Sequence, residues 1–93
     1  MRESTIESRL RIEAKKRGGM AVKFVSPGLN GVPDRLVLMP NGRMAFIELK
    51  APGKTPRALQ LKRKRQLEVL GFRVYVIDDL EQIGGILDEI HGT

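Results

Sequence analysis

The sequence predicts an α/β fold, a mixed sheet flanked by helices, and three observations lead to it. The dipeptide Asn41-Gly42 separates two apolar runs, which is typical of a β-hairpin. Apolar residues recur at helical spacing within residues 3–17. A β-rich run at residues 72–77 follows a second helical segment, and a helical crossover allows two strands to pair in parallel. The predicted order of elements is α-β-β-β-α-β-α.

Local signals set the expected ends of the helices. Ser4 and Glu7 have the spacing of a capping box at the start of the first helix. Thr55-Pro56 is typical of the start of the second helix, and Asp78-Asp79 is expected to cap the third. The predicted elements are helices over residues 3–17, 55–70 and from 78 onward, and strands over residues 20–25, 34–39, 43–50 and 72–77. The apolar stripes are Ile6, Leu10 and Ala14, then Leu59, Leu67 and Leu70, then Leu80, Ile83, Leu87 and Ile90.

Composition and charge restrict the class of protein. Residues 1–93 are expected to form one domain, and no apolar run approaches the ~20 residues that span a membrane. The chain has no Cys, so a metal would be held by oxygen ligands or by the lone His91. Residues 51–77 carry seven basic and one acidic side chain, within a net charge of +6. This balance favours binding to a polyanion, with nucleic acid as the first candidate. The alternative is a basic surface that binds no partner.

The hairpin brings three charged residues to one end of the sheet. Asp34 opens the first strand, and Glu48 and Lys50 close the second on one face, because side chains alternate along a strand. An antiparallel hairpin places the start of one strand beside the end of the other. Two readings are open: a surface cluster of ion pairs, or a site that holds a hard divalent cation and positions a water molecule.

The pattern resembles a known nuclease signature. Pro33-Asp34 followed by Glu48-Leu49-Lys50 is similar to the PD-(D/E)xK motif, and with Gly31-Val32 and Gly71-Phe72 it resembles the VRR-NUC branch, the virus-type replication and repair nucleases. The resemblance runs from Glu7 to about Ile77. It implies a PD-(D/E)xK nuclease core, a Mg²⁺- or Mn²⁺-dependent phosphodiesterase acting on DNA.

The resemblance also suggests roles for individual residues. Asp34 and Glu48 would be metal ligands, with the Leu49 carbonyl as a backbone ligand, and Lys50 would orient or help deprotonate water, or stabilise charge. Glu7 is expected to supply a third carboxylate to the site, the alternative being a helix cap; Glu3 and Glu13 rank below it. Gln60 is expected to point towards the site, with a solvated side chain as the alternative.

A basic run and an acidic last helix complete the expectations. Lys54 and the run Lys62, Arg63, Lys64 and Arg65 are candidates for phosphate contacts, although four consecutive helical residues cannot all face one partner. A homodimer acting on four-way junctions is expected, with the last helix as a candidate interface unless its stripe covers the chain's own sheet. The alternatives are a non-catalytic binding module and a flap, nicking or restriction-type nuclease. The expected location is the cytoplasm of a bacterial or phage-infected cell, since the charged amino-terminal stretch is unlike a signal peptide.

Overall fold

A computed structural model describes residues 1–92 and contains the predicted order of elements. The helices are α1 (Glu3–Lys16), α2 (Ala58–Val69) and α3 (Gln82–His91), and the strands are β1 (Met20–Lys23), β2 (Arg35–Met39), β3 (Arg43–Leu49) and β4 (Val74–Ile77). The strands form one sheet in the order β1-β2-β3-β4. The first three are antiparallel, and β4 runs parallel to β3. The predicted α/β fold with a mixed sheet is confirmed.

The hairpin of β2 and β3 turns at the predicted place. A short 3₁₀ turn, Pro40–Gly42, connects the strands, and its last two residues have φ angles of 67° and 71°. Asn and Gly tolerate this left-handed conformation better than other residues do, which explains the dipeptide here. The register pairs Met39 with Arg43 and Arg35 with Ile47.

One face of the sheet carries the hydrophobic core. Alternate residues of the strands point to this face, and α1 and α3 cover it together. The stripes predicted for α1 and α3 are buried here, with one exception, Leu80, which lies before α3 and is only partly buried. The largest fully buried side chains are Ile6, Leu10, Val37, Ile47, Leu49, Ile77, Ile83, Leu87 and Ile90.

The other face of the sheet is only partly covered. It carries all three phenylalanines, and the ring of Phe46 lies edge-on to those of Phe24 and Phe72, with 5.7 Å between centroids in each pair. Helix α2 follows β3 and contains no buried residue. The prediction of a buried stripe on α2 is therefore wrong: Leu59 is 41% exposed and Leu70 is 71% exposed. Sequence spacing showed apolar residues on the helix but not what lies opposite them.

Helix α1 begins at Glu3, as predicted, but α2 and α3 begin later than predicted, and the expected caps differ. Helix α1 has Arg2 at its N-cap with no capping side chain, so Ser4 and Glu7 form no capping box. Helix α2 begins after Arg57 rather than at Thr55-Pro56, and α3 begins after Glu81 rather than after the Asp pair. Local side chains still take part, since Gln60 Oε1 accepts from the Arg57 N–H at the start of α2 and Asp79 Oδ1 accepts from the Glu81 N–H before α3. Within residues 1–92, no helix is both long enough and apolar enough to cross a bilayer.

Candidate active site

Asp34 lies at the open end of the hairpin, opposite Glu48. The pair Arg35–Ile47 closes the ladder of β2 and β3, and Asp34 precedes it by one residue. The backbone N–H of Leu49 donates a hydrogen bond of 3.1 Å to Asp34 Oδ1. The Asp34 carbonyl accepts from the N–H of Phe24 at 2.9 Å. The carboxylate is thus fixed by backbone atoms of β3, while about a third of the side chain remains exposed.

Glu48 is a buried carboxylate, with only 6% of the residue exposed. Burial raises the pKa of its carboxyl above the ordinary value, and the nearby charge of Asp34 raises the pKa further. Lys50 opposes the shift, because its Nζ lies 3.3 Å from Glu48 Oε2. The three residues that the hairpin was expected to bring together are close in space.

Gln60 connects α2 to this cluster. Its Nε2 donates a hydrogen bond of 2.9 Å to Glu48 Oε2, and its Oε1 accepts from the backbone N–H of Arg57 at 2.8 Å. The side chain points to Glu48, so the alternative of a solvated Gln60 is wrong. The same amide fixes the start of α2 and holds the buried carboxylate.

The acidic residues of α1 make no hydrogen bond or ion pair to Asp34, Glu48 or Lys50 within residues 1–92. Glu7 Oε1 accepts a hydrogen bond of 2.7 Å from Arg11 Nε, one turn further along the helix. The charge of Glu3, by contrast, contributes to raising the Glu48 pKa. Glu3 precedes Leu10 by seven residues and so lies near the same side of the helix, but its side chain is exposed. Among residues 1–92, no three acidic or histidine side chains are grouped so as to hold a metal ion.

Arg35 is a neighbour of the site that the sequence analysis did not single out. Its Nη1 donates to the Asp34 carbonyl at 2.9 Å and lies 3.6 Å from Asp34 Oδ2. The sequence did indicate this neighbour, because Arg35 directly follows Pro33-Asp34 and adjacent residues at a strand end lie close together in any fold.

The basic run of α2 divides into two pairs. Arg63 donates to the Asn30 carbonyl at 2.7 Å, and Lys64 lies 2.9 Å from Glu68, so both are engaged within the chain. Lys62 and Arg65 are exposed, and their side chains make no hydrogen bond or ion pair in the part of the chain that the structure describes. The same holds for Lys54, in the loop before α2. These three cations point to solvent and are available to a ligand.

The fold and this cluster define a class of protein. A mixed four-stranded sheet flanked by helices, with Pro33-Asp34 facing Glu48-Leu49-Lys50 across a hairpin, is the arrangement of the PD-(D/E)xK nuclease fold.

Comparisons with known proteins agree with this class. No protein-family model matches the chain. The chain is 47% identical over 91 residues to "Putative nuclease p44" of Acyrthosiphon pisum secondary endosymbiont phage 1, and the match covers 98% of this chain and 97% of that protein. It is also similar to a solved structure described as "VRR_NUC domain", with a TM-score of 0.85 and 25% identity over 92% of this chain and 94% of that one. The chain belongs to the VRR-NUC nucleases.

Proposed function

We propose that this nuclease is a metal-dependent endonuclease that hydrolyses phosphodiester bonds in DNA, that it works as a homodimer, and that four-way junctions are its preferred substrate. The observation that supports a hydrolytic site is the cluster of Asp34, Glu48 and Lys50, in which two carboxylates and an ammonium group meet. A surface cluster of ion pairs would not bury one of its acids, as Glu48 is buried here.

The donor atoms of the site fit Mg²⁺ or Mn²⁺. Both ions prefer oxygen ligands, and Mg²⁺ is commonly held by one or two carboxylates together with waters and substrate phosphates. Asp34 and Glu48 supply two carboxylates, and the Leu49 carbonyl is a third candidate ligand. Glu7 on α1 is the candidate for an outer carboxylate, and Glu3 on the same helix is the alternative. A site with two protein carboxylates is consistent with the lack of a larger acidic group in residues 1–92.

The residues divide the work of hydrolysis between them. A bound divalent ion supplies Lewis acidity to the phosphate and lowers the pKa of water. Lys50 is paired with Glu48 in the structure, so we assign it to stabilising negative charge on the phosphate rather than to removing a proton. Gln60 keeps Glu48 in one orientation. Lys54, Lys62 and Arg65 bind flanking phosphates.

Cleavage assays test the proposal directly. Labelled linear, flap and four-way-junction DNA is incubated with and without Mg²⁺ or Mn²⁺. Asp34→Asn, Glu48→Gln and Lys50→Ala are expected to abolish cleavage and leave DNA binding intact. Glu68→Gln, an exposed acid paired with Lys64, is the control and is expected to cleave normally. Binding without cleavage by the unaltered protein would instead favour a non-catalytic module.

The stripe of α3 was one candidate interface for a homodimer, and burial in its own chain was the alternative. The stripe of α3 is buried in its own chain, so this helix face does not serve as an interface. The partly open face of the sheet offers apolar surface instead, with Val22 36%, Leu38 38% and Phe72 42% exposed. Two copies joined by a two-fold axis would supply the matched cuts that a junction requires.

Light scattering and cleavage mapping test the dimer. Leu38→Lys is expected to produce a monomer and to remove the symmetric second cut on a fixed four-way junction. Ile12→Lys, a similar change at a residue 51% exposed on α1, is expected to preserve both. An unaltered protein that is monomeric, or that cuts one strand only, would leave a flap or nicking nuclease. The phage source of the related nuclease fits the proposed location, the cytoplasm of a bacterial or phage-infected cell.

A further inference from the structure

Arg35 is a partly buried cation whose contacts all lead to one residue. Its side chain is 14% exposed, and Nη1 reaches both the carbonyl and the carboxylate of Asp34. Within residues 1–92, Asp34 is the residue that accepts hydrogen bonds from this guanidinium. The Nε–H is buried and has no hydrogen-bond partner. An unsatisfied buried donor costs about 1–3 kcal/mol, so burial of the Arg35 Nε–H lowers the stability of the fold.

The position of Arg35 on the strand determines how it approaches Asp34. Arg35 pairs with Ile47, so its side chain emerges on the face covered by α1 and α3. Asp34 Oδ1 accepts from the Leu49 N–H of the neighbouring strand, and Oδ2 faces Arg35. Oδ1 is therefore held by a hydrogen bond and Oδ2 by a longer ion-pair contact of 3.6 Å, while Glu48 and Lys50 lie on the face of the sheet opposite the Arg35 side chain.

We infer that Arg35 is a positioning residue, which orients the Asp34 carboxylate towards a divalent cation from behind the strand. This inference rests on the proposed function, since it assumes that Asp34 binds a metal ion. Arg35 hydrogen-bonds to the main-chain carbonyl of Asp34 and forms an ion pair with its carboxylate. The loss of a group that orients a metal ligand typically lowers metal affinity by about 10–100-fold.

The opposite expectation follows if Arg35 serves only as a counter-charge. Arg35 carries a positive charge 3.6 Å from Asp34 and so repels an incoming cation. Removing a mere counter-charge would make Mn²⁺ bind more tightly, whereas removing a positioning residue makes it bind more weakly. The sign of the change in affinity separates the two roles.

Calorimetric titration with MnCl₂, without DNA, measures this sign. Arg35→Gln is expected to bind Mn²⁺ at least about tenfold more weakly than the unaltered protein. Arg35→Lys, which keeps the charge and a shorter donor, is expected to bind with intermediate affinity. Arg17→Gln is the control, because Arg17 is also partly buried and paired with carboxylates, Glu13 and Asp88. It is expected to bind Mn²⁺ normally.

A second readout reports on Asp34 without metal. The amide proton of Leu49 is expected to shift upfield in the NMR spectrum of Arg35→Gln, because its hydrogen bond to Asp34 Oδ1 lengthens. Equal or tighter Mn²⁺ binding by a folded Arg35→Gln overturns the inference. If that variant does not fold, Arg35→Lys decides, and affinity equal to or above the unaltered protein's overturns it. Failure of the unaltered protein to bind Mn²⁺, or undiminished binding by Asp34→Asn, would refute the metal site itself.

Discussion

Replacing Gln60 with Ala tests whether α2 supports the active site. The change removes two hydrogen bonds, one of 2.9 Å to Glu48 Oε2 and one of 2.8 Å from the Arg57 N–H. Glu48 would then retain Lys50 as its ion-pair partner. The carboxylate would lose the group that fixes its orientation relative to Asp34.

The expected loss of stability is worked from these two bonds. A hydrogen bond to a charged group contributes about 1.5–3 kcal/mol, and Glu48 is too buried for water to replace Gln60 fully. The bond at the exposed start of α2 contributes about 0.5 kcal/mol. A total near 2 kcal/mol corresponds to a fall of about 10 °C in the melting temperature of a domain of this size. Cleavage is expected to fall by about 10–100-fold, the usual cost of losing a group that orients a metal ligand.

Gln66→Ala provides a matched control on the same helix. Gln66 accepts a hydrogen bond from Arg63 at the surface, so its loss is expected to change stability by less than about 0.5 kcal/mol. Both substitutions have the same effect on helix propensity, which cancels in the comparison. Thermal melts and cleavage rates are measured for each variant. If Gln60→Ala matches Gln66→Ala in both, α2 does not support the site.

Three further predictions concern the charges around the site. Glu48→Gln is expected to raise the melting temperature of the metal-free protein. The gain is smallest below pH 4.5, the ordinary pKa of Glu, and grows as the pH rises through the raised pKa of Glu48. Neutralising Lys62 and Arg65 together is expected to weaken DNA binding and flatten the log–log salt dependence by about one unit per lost phosphate contact. Glu7→Gln is expected to reduce cleavage more than Glu3→Gln, because the Glu7 side chain is only 18% exposed whereas Glu3 is exposed.

Each of these has a result that would contradict it. The raised pKa means that protonated Glu48 stabilises the fold at low pH and that this stability is lost as the carboxyl ionises, so a gain from Glu48→Gln that shrinks with rising pH would be inconsistent. If replacing the engaged pair, Arg63 and Lys64, flattens the salt dependence as much as replacing Lys62 and Arg65, the division of the basic run is unimportant for binding. Cleavage lost in Glu3→Gln alone would instead assign the α1 role to Glu3.

The hairpin was predictable because its geometry is local. The Asn41-Gly42 turn sets the register, and the register alone places Asp34 against Glu48. The stripes of α1 and α3 were predictable for a similar reason, since helical spacing shows which side is apolar. Spacing does not show which apolar side is covered. Leu59 and Leu70 looked like core residues and are exposed, because the partner of a helix face is decided by tertiary structure.

The parts of the site that the sequence did not settle depend on side chains meeting across elements. The bond from Gln60 to Glu48 joins α2 to β3, and spacing alone left the direction of Gln60 open. Whether Glu7 or Glu3 contributes to the site depends on how α1 meets the sheet, which spacing alone does not show. Arg35 was missed because a charged residue at a strand end is usually solvated, and only the structure shows that its guanidinium folds back on Asp34.

The arrangement of α1 and α3 in one layer has a consequence for synthesis of the chain. The order of strands in space follows their order in the sequence, so each new strand is added beside the last as the chain emerges from the ribosome. Helix α1 packs on this sheet but remains only partly covered at this stage, because Ile83, Leu87 and Ile90 of α3, which complete its apolar surroundings, are made after all four strands. The nascent chain therefore exposes part of the apolar side of α1 until α3 has been translated.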